Sequence, residues 1–189
     1  IKKKGAELLA GDIKPNFWRA LIDNDRGNKQ AVRCATWKYA GECSWMGIQK
    51  VENEGKTVKV HVDFSVPATV DAKGTVVFEI GSKGMHVDYS FKADSSLPEI
   101  PEVSIIIPLK KEYDRIEYLG KGPHENYIDR CYGADIGLYR ASVKDLFTNY
   151  QKPQEHGERT GVRYAVLSGE NKIRFEADTE MEFNVCPWN

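Results

Sequence analysis

Long apolar runs, paired cysteines and an excess of charge of either sign are all missing from this 189-residue chain. No apolar stretch approaches the ~20 residues that a membrane-spanning helix needs, so no transmembrane segment is expected. Lysine and arginine total 27 against 28 aspartates and glutamates, a net charge of −1. That balance gives no electrostatic reason to expect nucleic acid or an anionic membrane as partner. The four cysteines, Cys34, Cys43, Cys131 and Cys186, are widely spaced and form no C-x-x-C pair. A cysteine-based metal site is therefore not expected; free, partly buried thiols are the simpler reading, and a Cys34–Cys43 disulfide stays open. The opening "IKKKGAELLAG" has a basic start but too few apolar residues behind it for a secretory signal. Repeats, low-complexity tracts and linker-like compositions are also lacking, which points to one domain over residues 1–189.

What is present is strand after strand. Hydrophobic residues make up 41% and charged residues 29%, a globular balance that allows a sizeable core. Val58, Val60, Val62 and Phe64 alternate with Lys59, His61 and Asp63, the period of a half-buried strand. "TVVFEI" from Thr75 and the alternating Met85, Val87, Tyr89 and Phe91 flank "GSKG", which predicts a hairpin. "EVSIIIPL" from Glu102 and "YDRIEYLG" from Tyr113 follow. "VRYAVLS", "KIRFEA" and "MEFNV" come later, with "GEN" and "DTE" as connections. The class implied is antiparallel all-β. Helix is scarce: one short helix is expected over 28–41, capped by Asn28, closed by Gly41, with Ala31, Ala35 and Tyr39 on one face. A further turn should open at Ser142, with Asp145 completing a capping box.

Two polar stretches stand out from the strands. "KPNFWRALIDNDRGN", Lys14 to Asn28, crowds Asp23, Asn24, Asp25 and Arg26 into what reads as an Asx-rich turn ion-paired to Arg19 or Arg26. A calcium loop would need alternating oxygens and a distal glutamate, which this stretch does not offer. "YLGKGPHENYIDRCYG", Tyr118 to Gly133, concentrates turn-formers and polar side chains at the end of a strand. Active sites and rigid structural corners both look like that. The corner reading uses Gly120, Gly122 and Pro123 for the backbone, with His124, Glu125, Asn126 and Arg130 tying loops together.

In order along the chain, "PNFWRA…DNDRGN", "YLGKGPHENYIDR", "YQKPQEHGERTGVRY" and "FNVCPWN" resemble the C-terminal, small-chain domain of family 2 β-galactosidases. The resemblance runs from about Lys14 to the last residue. It implies a β-supersandwich of the galactose-mutarotase-like kind. It also implies a parent enzyme that removes terminal β-D-galactose with retention, by a pair of glutamates in a separate barrel domain that also holds magnesium and sodium. No catalytic residue, metal or cofactor is then expected in this segment. Its partners would be the remaining domains of the parent, which supply the galactoside, and further copies in a homo-oligomer; a cytoplasmic or periplasmic location fits equally. Two departures are visible. Arg19-Ala20-Leu21 stands where the family has Arg-Ala-Pro, and the tryptophan that walls the aglycone side, which follows the "FNVCPWN" region in the family, has no counterpart; Trp188 belongs to the earlier motif. A domain truncated at its C-terminus is the expectation.

A retaining glycosidase needs two carboxyl groups about 5–5.5 Å apart. Glu125, Asp129, Glu155 and Glu158 could form such a pair only by chance geometry, so the expected role of the segment is to buttress the barrel. The carbohydrate-contact candidates are His124, Glu125, Asn126, Arg130, Glu155, His156 and Arg163. The alternative is a stand-alone carbohydrate-binding or mutarotase-like (aldose 1-epimerase) module, with His124 and His156 each beside a glutamate as acid and base.

Overall fold

The computed structural model describes residues 2–3 and 5–187, so Trp188 lies outside the described residues. The protein is all-β and antiparallel, with only short helical pieces, and it divides into two compact units: Ile13–Ile107, and Ile1–Asp12 with Pro108–Asn189.

In the unit Ile13–Ile107 a four-stranded antiparallel meander runs β4-β5-β6-β7. Its strands are β4 (Trp45–Glu54), β5 (Thr57–Ser65), β6 (Ala72–Gly81) and β7 (Gly84–Ala93). The "GSKG" hairpin forms as expected, Gly81 facing Gly84 across a two-residue turn. The alternation read from Val58 to Phe64 places Phe64 in the core, where its ring stacks on Phe91 and Tyr89 at 5.9 and 5.7 Å. Phe17 and Trp37 complete this aromatic cluster, Phe17 lying 4.5 Å from Phe91. A small strand pair, β3 (Lys14–Asn16) with β8 (Ser104–Ile106), belongs to the same unit. The strand expected over "EVSIIIPL" is thus only three residues long. Pro101 and Pro108 bracket it, and neither can donate to a ladder.

The helix expected over 28–41 differs from what forms. Asp23–Gly27 is a short helix α1, Gln30–Arg33 a second, α2, and Ala35–Trp37 a 3₁₀ turn, with Lys29 at φ 60° breaking the path between α1 and α2. The predicted face of Ala31, Ala35 and Tyr39 is exposed, while Gln30, Cys34, Trp37 and Ala40 are buried. The buried side is the opposite one because the Trp37 indole, with Cys34 and Ala40, enters the aromatic core, and burying it outweighs burying Ala31, Ala35 and the phenol of Tyr39, whose hydroxyl favours water. The expected Asx turn at 23–26 is the first turn of α1. There Arg19 grips Asp25 through both terminal nitrogens at 2.6 and 3.1 Å, and the Ile22 amide donates to the same carboxylate at 2.9 Å.

The other unit carries a second four-stranded sheet in the order β10-β9-β11-β12. The strands are β9 (Arg115–Gly122), β10 (Asp135–Ser142), β11 (Arg159–Ser168) and β12 (Lys172–Phe183). Ile116 and Tyr118 of β9 and Val162, Ala165 and Leu167 of β11 form its core, closed by Val143 and Leu146. These last two lie on the 3₁₀ turn Val143–Leu146, opened by the expected capping box: the Asp145 amide donates to Ser142 Oγ and the Ser142 amide to Asp145 Oδ2, each at 3.3 Å. Two strands near the N-terminus, β1 (Lys2–Lys3) and β2 (Ala6–Glu7), pair with each other. "KIRFEA" and "MEFNV" are not separate strands. "KIRFEA" falls within β12 and "MEFNV" supplies its last three residues, Met181 to Phe183, with Asn184 and Val185 beyond its end; "DTE" lies in a register irregularity between the pairs Tyr164↔Glu176 and Val162↔Met181, a bulge rather than a turn. Among the described residues no helix is long and apolar enough to cross a membrane.

Candidate functional site

Three of the polar motifs noted in the sequence converge where β9 ends and β11 begins. Gly120 on β9 lets the strands close up: a side chain there would meet the Val162 backbone at 2.9 Å. After the cis Gly122–Pro123 bond the chain leaves the sheet, and His124, Glu125 and Asn126 fan out in different directions.

Asn126 goes inward and is 1% exposed. Its amide nitrogen donates to the carbonyls of Lys121 and His124 at 3.1 and 3.2 Å. Its oxygen accepts from the Thr160 amide and hydroxyl at 3.1 and 2.7 Å, and its backbone N–H reaches the Glu158 carbonyl at 2.9 Å. Every side-chain hydrogen-bonding direction with an obvious use is taken, so Asn126 acts as a staple between strand ends and not as a ligand contact.

Glu125, whose side chain is 6% exposed, is the hub of the corner. Arg130 donates to Oε1 at 2.7 Å, the Tyr150 hydroxyl also donates to Oε1, and the Gly157 amide donates to Oε2 at 2.8 Å. Arg130 reaches the Tyr150 oxygen as well, at 3.0 Å, closing a triangle. Burial by itself would push the Glu125 carboxyl up. The donors from Tyr150, Gly157, Thr148 and Arg130 outweigh burial and hold it at about 2. Arg130 is shifted upward by the same Tyr150 and Glu125 contacts, against the effect of burial. A carboxylate so fully engaged and so acidic cannot act as a general acid near neutral pH.

Gly157 has φ +89°, and a Cβ there would lie 2.6 Å from Asn184 Oδ1, so only glycine fits. Asn184, from the "FNVCPWN" motif, donates to Glu155 at 3.2 Å and to the His156 carbonyl at 2.6 Å, which fixes the segment before β11. His156 sets its ring edge-on to Phe147 with centroids 4.6 Å apart, and its Nδ1 is buried without a hydrogen-bond partner.

Between the 122–130 corner and the 145–150 loop lies a concavity of about 490 Å³. Of the carbohydrate-contact candidates, His124, Glu125 and Arg130 line it. Asn126 lies buried behind the corner, Glu155 and His156 sit on the neighbouring segment, and Arg163 is exposed on β11, outside the lining. Sequence reasoning missed Arg159, Tyr150, Asp145 and the stretch Phe147–Asn149, which complete the walls. Arg159 and Tyr150 were within a recognised motif, but nothing in a linear sequence marks Phe147–Asn149 as its neighbour. Among the described residues no three His, Cys, Asp or Glu side chains gather as a metal site. All four cysteines are free thiols, Cys34 buried and Cys43 exposed.

A family model described as beta galactosidase small chain matches residues 1–189. A beta-galactosidase of Priestia megaterium is 37% identical over 192 residues, an overlap of 97% of this chain and 18% of that protein. One from Streptococcus thermophilus is 32% identical over 171 residues, covering 90% of this chain and 17% of its own length. A third, from Lactobacillus delbrueckii subsp. bulgaricus, is 31% identical over 192 residues, 100% of this chain and 19% of its own. The chain therefore spans 17–19% of the length of these curated relatives.

Proposed function

The chain belongs to the beta-galactosidase small-chain family, and from that premise we propose that it serves as the C-terminal domain of a family 2 β-galactosidase. The parent would remove terminal non-reducing β-D-galactose by a retaining mechanism, with both glutamates, and the magnesium and sodium, in a barrel domain elsewhere in the polypeptide. This segment would adopt the supersandwich arrangement of galactose-mutarotase-like domains and buttress that barrel in a homo-oligomer.

The observation that carries the buttressing role is the state of Glu125. Its two oxygens are consumed by Arg130, Tyr150 and Gly157, and the neighbouring Asn126 is consumed by five bonds of its own. Groups spent on holding loops are poor candidates for moving protons, and of the two histidines weighed as acid and base for aldose 1-epimerase chemistry only His124 lines the concavity, His156 packing edge-on against Phe147. The concavity favours one second reading, a non-catalytic carbohydrate-binding module, which a fluorescence titration with galactose addresses.

The deciding experiment compares hydrolysis of a chromogenic β-galactoside by the parent, by the parent lacking this segment, and by the 189-residue chain alone. Activity is expected in the first only. Turnover by the chain alone that disappears in Glu125→Gln or Glu155→Gln would refute the proposal.

A further inference from the structure

Arg159 is the buried charged side chain of the concavity that has no counter-ion among the described residues. It is 3% exposed and lines the cavity. Its two terminal nitrogens donate to backbone carbonyls, Nη1 to Gly157 at 2.7 Å and Nη2 to Pro123 at 3.1 Å, and its Nε is buried with no partner. Among the described residues it has no carboxylate in ion-pair contact. Carbonyl dipoles hold a guanidinium in place, but a cation removed from water without an anion is costly, and arginine's five donors in a fixed fork suit an oxyanion.

The other charges around the cavity do not meet that need. Glu125 is engaged by Arg130 and by neutral donors. Asp145 is exposed, so water screens it, and its Oδ2 accepts from the Ser142 amide. Formally the lining carries two arginines against two carboxylates, yet the buried charge that lacks a counterpart is positive. Arg130, with half of its side chain exposed at the mouth, retains donors beyond those given to Glu125 and Tyr150. Thr148 and Asn149 add neutral polar groups to the wall, and Phe147 adds an apolar one.

We infer that the concavity between residues 122–130 and 145–159 is a binding site for a small oxyanion, a carboxylate or phosphate group, with Arg159 as its counter-charge and Arg130 at its entrance. The inference rests on these side chains alone and holds whether or not the domain buttresses a barrel. The volume admits a group the size of a monosaccharide, so the oxyanion can arrive free or carried on a sugar acid.

Calorimetric titrations of the protein at low ionic strength with sodium phosphate, D-galacturonate and D-galactose test this. Galacturonate is expected to bind about tenfold or more tightly than galactose, the worth of one charge-assisted contact. Phosphate binding as tightly as galacturonate would identify a free-oxyanion site, and a preference for galacturonate a sugar-acid site; both support the inference. Arg159→Met should abolish anion binding while the circular dichroism stays β-rich. Should Arg159→Met fail to fold, the rim decides. Asn149 is exposed and lines the cavity, so Asn149→Glu should weaken galacturonate binding several-fold and Asn149→Lys should strengthen it. Galactose binding as tightly as galacturonate, no binding of any probe, or an Asn149→Glu variant that binds the anion unchanged would each overturn the inference.

Discussion

Glu125 ties a single residue to the pH response of the whole unit. Its carboxyl is held at about 2 against an ordinary 4.5. A carboxyl depressed by folding binds its proton more readily in the unfolded chain, so the stability it provides is complete above pH ~4.5 and is lost as pH falls toward 2. A gap of that size corresponds to about 3 kcal/mol. Thermal melts of the wild type should therefore drop steeply between pH 4.5 and 2, and Glu125→Gln should flatten that slope while costing roughly 1–3 kcal/mol at pH 7, since Arg130 and the Gly157 amide lose a charged acceptor. A variant with unchanged acid sensitivity would mean that other carboxyls govern it. Tyr89 presents the opposite case. Its hydroxyl is buried without a partner on β7, and burial pushes its pKa up to about 12. Removing an unsatisfied hydroxyl removes its desolvation cost, so Tyr89→Phe should raise the melting temperature, by an amount equivalent to about 1 kcal/mol, measurable by calorimetry.

At the scale of elements, what the sequence revealed depended on whether burial followed a simple period. β5, β6 and β7 were legible because one face is apolar, and the hairpin and the Ser142 box were legible because turn chemistry is local. β4 and β10 were not. β4 is exposed along nearly its whole length, with Trp45, Met46, Ile48 and Val51 open to solvent, so no alternation marks it. β10 places Ile136 and Leu138 on one face and Tyr139 and Ala141 on the other, which erases the period-two signal. The candidate site was half legible for the same reason. Residues within one motif could be grouped, whereas Arg159 facing Pro123, or Phe147 against His156, depends on strands pairing across the sequence. The α1 segment offers a test at this scale. Asp25 is shifted downward: burial raises it, but the Arg19 hydrogen bonds, the Ile22 amide and the charges of Arg19 and Arg26 prevail. Asp25→Ala should cost about 1–2 kcal/mol, the loss of a buried helix cap with its cation. It should also speed hydrogen exchange across residues 22–34, while amides in β5 and β6 keep their protection. Uniform loss of protection throughout 13–107 would show that the helical segment and the sheet open together.

For the whole molecule the question is whether one domain over 1–189 or two units carries the cooperativity. Ile13–Ile107 is continuous in sequence, whereas the other unit needs both ends of the chain. The continuous unit also has its own core. Phe17 and Trp37 from the helical side pack against Phe64 and Phe91 from the sheet, and Trp37 Nε1 donates to the Pro98 carbonyl at 3.0 Å, anchoring the segment that leads into β8. The strand pair β3 and β8 closes its two ends against each other, Lys14 facing Ile106 and Asn16 facing Ser104, so excision cuts the chain where its ends already meet. Asn16 reinforces that closure by donating to Glu102 at 2.9 Å and to Ser104 at 3.1 Å. The unit thus has an aromatic core of its own and pairs its two ends, the conditions for independent folding. Residues 13–107 expressed alone should give a β-type circular dichroism spectrum and one cooperative melt, with the fluorescence of Trp37 shifting red as it unfolds. Trp18→Phe and Trp45→Phe, made together, isolate that signal. A fragment that remains unfolded would establish that cooperativity extends over 1–189 and that the chain behaves as a single domain.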